Sequence, residues 1–84
     1  MNETFIERRA SVRHRIFKGG RLAFNSGSSV ECTVRNISPG GARVEVTSPV
    51  ALPESFTLLI QTDHLERRCH PVWTRNTQIG VAFD

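Results

Sequence analysis

The 84-residue chain has no tyrosine, one tryptophan, two cysteines and no long apolar run. Each shortage excludes something. No stretch approaches the roughly 20 apolar residues that a bilayer-spanning helix needs, so no membrane insertion is expected. No basic–apolar–small-residue leader stands at the N-terminus, and a cytoplasmic location follows as the default. Nothing points to the oxidising compartment that a disulfide would need, so Cys32 and Cys69 are read as reduced core thiols. No stretch carries a convincing helical stripe, and there is no internal repeat or low-complexity segment. What is present suffices for one folded domain: 38% of residues are hydrophobic, five of them Phe. A chain of this length buries about two-thirds of its unfolded surface, enough for a small core.

The formal net charge is +3 and the pI about 9.7, which favours anionic partners. The positive charge is concentrated. Residues 7–21 hold Arg8, Arg9, Arg13, His14, Arg15, Lys18 and Arg21 against Glu7 alone. Elsewhere the signs are close to balanced.

The chain is organised around Asn36-Ile37-Ser38-Pro39-Gly40-Gly41. Apolar residues alternate with polar ones into this stretch (Val30, Cys32, Val34) and out of it (Ala42, Val44, Val46). Period two marks half-buried strands, so two strands are expected to meet at a polar, glycine-rich corner. Pro39 presets one dihedral, and Gly40 and Gly41 allow positive φ and close approach of another molecule.

Further strands are expected from Ile16 to Phe24 with a bulge at Gly19-Gly20, at Val30–Arg35, at Ala42–Thr47, from Phe56 to Ile60, from Leu65 to Thr74 with a break at Pro71, and at Ile79–Phe83. Trp73 is read as core, with a wall near the ligand as its second reading. Glu66, Arg67 and Arg68 form a solvated face with cross-strand ion pairs. Six short strands with turns every 8–12 residues predict an all-β barrel or sandwich.

Two constellations carry chemistry. Arg9 and Arg13 present planar guanidinium forks suited to phosphates and to the O6/N7 edge of guanine. Asn36 and Ser38 offer neutral donors and acceptors, and the Gly40-Gly41 backbone offers N–H groups to an anion. An arm crossing the barrel face would join the two into one site. His64, Cys69 and His70 fit no zinc spacing, and no acid pair or activated nucleophile suggests an enzyme.

Arg9-x-x-x-Arg13 followed by Asn36-x-Ser38-x-x-Gly41 resembles the two-part signature of PilZ domains, bacterial receptors for the second messenger cyclic di-GMP. The ending Trp73…Ile79-Gly80-Val81-Ala82-Phe83 is similar to that family's last two strands. The resemblance covers roughly residues 7–84. It implies a six-stranded antiparallel β-barrel with little or no helix. It implies cyclic di-GMP as ligand, with no other cofactor and no metal. The binding residues it implies are Arg8, Arg9, Arg13, Asn36, Ser38, Gly40 and Gly41. Many members carry a helix after the last strand; with the sequence running to Asp84, none is expected here.

The expected organisation is a flexible arm (1–6) and a barrel domain (7–84) whose first part, 7–15, is the ligand-binding arm. Ligand binding would order that arm and change the surface offered to an effector protein. No nucleic-acid partner is expected, and the oligomeric expectation is a monomer or weak homodimer. Two alternatives stand beside this reading. One is a nucleic-acid-binding small β-barrel, which the lack of tyrosine and the placing of most Phe on apolar faces disfavour. The other is a PilZ-like interaction module that no longer binds ligand.

Overall fold

The structure is a computed structural model that describes residues 14–84, with side chains from Ile16 onward. The expected arm 1–6 and the residues Arg8, Arg9 and Arg13 lie outside the described residues.

Alternating sequence closes into a six-stranded antiparallel barrel. The strands are β1 (His14–Ala23), β2 (Ser29–Ser38), β3 (Gly41–Glu45), β4 (Phe56–Ile60), β5 (Leu65–Arg75) and β6 (Gln78–Phe83). Around the wall they run β1-β2-β3-β6-β5-β4. One turn of 3-10 helix, Gln61–Asp63, is the only helix among the described residues. The inward residues meet in a single core, in which Leu22, Val34, Val44, Phe56, Leu58 and Ile60 are fully buried. Each such side chain contributes about 1.5–3 kcal/mol relative to exposure. Cys32 and Cys69 are free and buried in the same cluster.

Several boundaries differ from the sequence expectation. β1 already begins at His14, so two residues assigned to the arm are paired backbone. β2 runs on to Ser38. Asn36 and Ser38 are therefore strand residues, and the turn is Pro39-Gly40 alone, with Ser38 paired to Gly41. β3 stops at Glu45, two residues short of Thr47.

Three register shifts break the alternation. On β2, Val34 faces Val44 and Asn36 faces Arg43, leaving Arg35 as the extra residue. On β5, Pro71 faces Val81 and Trp73 faces Gly80, leaving Val72 extra. On β1 the shift falls between Arg15 and Lys18 rather than at Gly19-Gly20. An extra residue inverts the inward–outward order beyond it, because the side-chain period is two.

The wall is least secured between β1 and β4, where the register holds only from Arg21↔Leu59 to Ala23↔Thr57. Beyond it, Lys18 Nζ meets the Asp63 carboxylate at 2.8 Å. The Lys18 hydrogen bond holds that carboxyl below its usual range. A pair this exposed is worth little to stability.

Candidate functional site

Asn36 and Ser38 stand on the outer face of the barrel, and the bulge at Arg35 puts them there. Uninterrupted alternation from Cys32 and Val34 would turn Asn36 inward. After the bulge, Asn36 lies opposite Arg43 and Ser38 opposite Gly41, while Ile37 lies opposite the buried Ala42. Residues paired across strands share a face. Alternate burial along β3 marks Gly41, Arg43 and Glu45 as its outward set, so Asn36 and Ser38 are outward too.

Asn36 is nevertheless only 8% exposed, and its Oδ1 has no hydrogen-bond donor among the described residues. A buried acceptor without a donor costs on the order of 1–3 kcal/mol. Ser38 Oγ makes only a long 3.4 Å hydrogen bond to the Gly41 carbonyl. The backbone of β1 runs alongside, with His14 opposite Ile37 and Arg15 opposite Asn36. β1 therefore begins beside Asn36 and Ser38.

The two glycines act differently from the sequence expectation. Among the described glycines only Gly27 has a left-handed φ, at 98°; Gly40 and Gly41 do not. A methyl group on Gly41 would collide with the Val81 carbonyl oxygen. Its missing side chain serves the close approach of β6. Gly40 has open space around it, and its carbonyl accepts the Phe83 N–H at 2.9 Å.

The row continues across β3 and β6. Arg43 faces Gly80, and Gly80 faces Trp73. Trp73, read from the sequence as core, is 42% exposed. The bulge at Val72 turns it outward, and its indole covers Gly80 where any side chain would meet the ring. Arg43 donates to Gln78 Oε1 at 3.1 Å. Its neighbour Arg35 is neutralised by Glu45 at 2.7 Å, and Arg35 lies 5.3 Å from the Phe17 ring centroid. Phe17 is 76% exposed.

The groups set aside on sequence grounds are otherwise engaged. His70 Nδ1 lies 2.6 Å from Asp84, while Cys69 points into the core. Burial, then the nearby Cys69, pushes the Cys32 thiol up to about 12. Burial, then Asp84, takes Cys69 to about 11. Both thiols stay protonated and unreactive at neutral pH. Arg68 bonds the neutral Asn25 and Ser55 side chains, and Arg67 caps the Phe83 ring at 4.5 Å; neither makes the expected ion pair among the described residues. A cleft of about 770 Å³ opens at the β1–β4 seam between Gly19, Gly20, Cys32, Ile60 and Leu65. None of the described motif residues lines it.

Arg43 and Phe17 were not singled out by sequence reasoning, and nothing in the alternation marks a bulge beside either. Pro71 was the one visible signal, since it cannot donate to a sheet ladder.

The fold is thus a closed six-stranded antiparallel barrel whose outer face carries the polar pair Asn36 and Ser38 beside the start of β1. A family model described as PilZ domain matches residues 7–84, and the chain belongs to that family. PilZ domains are binding and adaptor modules for cyclic di-GMP. No curated protein matches the chain at a significant level. Among the described residues, no helix is long and apolar enough to cross a membrane.

Proposed function

We propose that this chain is a cyclic di-GMP receptor and adaptor. The ligand lies across the outer face between Asn36, Ser38 and the Pro39-Gly40-Gly41 turn on one side and Arg8, Arg9 and Arg13 of the arm on the other. The observation that carries the reading is the unpartnered Oδ1 of Asn36, aligned with Ser38 beside the start of β1. A buried acceptor kept without a donor is a cost that a ligand N–H relieves. Arginine forks close over the phosphates and guanine edges. Trp73 supplies an aromatic shelf at the far end of the same row.

Output follows from order. A dianionic ligand draws the basic segment onto the barrel and changes the surface presented to an effector protein. The module acts in the cytoplasm as a monomer or weak homodimer, with no chemistry of its own. Calorimetric titration with cyclic di-GMP, with GTP as control and Arg9→Ala/Arg13→Ala in parallel, tests it. Micromolar or tighter binding is expected, lost in the double variant and absent for GTP. No heat and no thermal shift would leave an interaction module without ligand.

The nucleic-acid reading gains from one observation. Phe17 is exposed beside Arg35 and Trp73 is exposed as well, and exposed aromatics near arginine serve as stacking platforms for single strands. A single-stranded oligonucleotide in the same titration separates the two, and the receptor reading expects no heat from it.

A further inference from the structure

We infer that Arg43 is the residue that selects guanine, reading the O6/N7 edge of the base whose N1–H is taken by Asn36. This rests on the receptor reading above and names a contact outside both motif halves. Register sets Arg43 opposite Asn36 on the next strand, so their Cα atoms are about 5 Å apart. Both residues belong to the outward row, and on the other flank of Arg43 the Trp73 indole covers Gly80, an aromatic edge against which a planar base can rest.

The donor inventory supports the role. Arg43 spends one N–H on the neutral Gln78 Oε1 at 3.1 Å. Glu45, the nearest carboxylate by register, is committed to Arg35 at 2.7 Å. Among the described residues Arg43 thus keeps an uncompensated charge and most of its five donors. Gln78 fixes the fork instead of consuming it.

Side by side, Asn36 and Arg43 present one acceptor and a set of donors that no described residue takes up. Guanine carries the complementary order along one continuous edge: N7 and O6 accept, and N1–H donates. Adenine reverses it after N7, with an amino donor at position 6 and an acceptor at N1. The pair therefore accepts guanine and leaves unpaired groups against adenine, which is how buried polar sites discriminate.

A chemical double cycle tests this, using cyclic di-GMP and its 7-deaza-guanine analogue, which lacks the N7 acceptor. Wild type, Arg43→Gln and Arg43→Lys are each titrated with both, after thermal melts confirm folding. Wild type is expected to prefer the parent dinucleotide about tenfold. Arg43→Gln is expected to bind the two equally, and Arg43→Lys to keep part of the preference. A variant that binds more weakly but keeps the full preference would make Arg43 a phosphate contact and overturn the inference. Unchanged affinity in Arg43→Gln would overturn it as well. A wild-type chain that binds neither compound overturns the receptor reading itself, a different result from either.

Discussion

Asn36 and Trp73 occupy one row of the barrel's outer face, linked by the register pairs Asn36↔Arg43, Arg43↔Gly80 and Gly80↔Trp73. Each is turned outward by a bulge one residue before it, at Arg35 and at Val72. Two independent insertions in alternation thus assemble one surface.

Trp73 rests where Gly80 has no side chain. Gly80→Ala would drive a methyl group into the indole, whose free edge faces solvent. The ring is expected to leave its seat at a stability cost of about 1 kcal/mol, since a partly exposed side chain can yield. Trp73 is the only tryptophan, so its emission reports directly: a red shift relative to wild type is expected, together with weaker cyclic di-GMP binding. An unshifted spectrum would mean that the ring never sat over Gly80.

The two glycines of the turn separate structure from contact. Gly41→Ala meets the Val81 backbone, which cannot move without breaking the β3–β6 ladder. A loss of roughly 3 kcal/mol is expected in urea unfolding. Gly40→Ala meets nothing and should change stability by less than about 0.5 kcal/mol. Equal midpoints for the two variants would contradict the packing described.

In the motif itself, Arg13→Ala is expected to remove most cyclic di-GMP affinity while leaving the melting temperature within a few degrees. Ser38→Ala should weaken binding less, because its present hydrogen bond is long. An Arg13→Ala chain that fails to fold would make that arginine structural.

The thiols set the alkaline limb of stability. Their folded pKa values, about 12 for Cys32 and about 11 for Cys69, lie above the roughly 8.5 of an exposed thiol. Below that lower value the contribution is whole. As pH rises past it, the unfolded chain loses protons that the folded chain keeps, and stability falls by up to about 1.4 kcal/mol per pH unit per thiol. With one lysine and no tyrosine, few other groups titrate there. Urea midpoints between pH 8 and 10.5 should fall more steeply in wild type than in Cys32→Ala; parallel slopes would remove the thiols as the cause.

Much of this was legible in the sequence. Val30, Cys32 and Val34, then Ala42 and Val44, announce two core-facing strands, and Phe56, Leu58 and Ile60 a third. Asn36, Ser38 and Gly41 were legible as a group. The face they occupy was not, because period-two counting continues Asn36 inward and the inversion at Arg35 is a tertiary event. The same count put Trp73 in the core. The packing role of Gly41 was not legible for a related reason: the strand that presses on it, β6, lies some forty residues further along the chain, a proximity visible only once β3 and β6 pair.

The order of strands around the wall also divides the barrel. β1, β2 and β3 form one continuous meander, and β4, β5 and β6 form another. The two are stitched edge to edge by β3–β6 along Gly41↔Ala82 to Glu45↔Gln78 and by the short β1–β4 seam. The outer row crosses the longer stitch, with Asn36 and Arg43 on one half and Gly80 and Trp73 on the other. A molecule bound along that row clamps the two halves together. Occupancy should then slow the opening of the whole barrel, and the β1–β4 seam becomes the side on which any remaining motion is gathered.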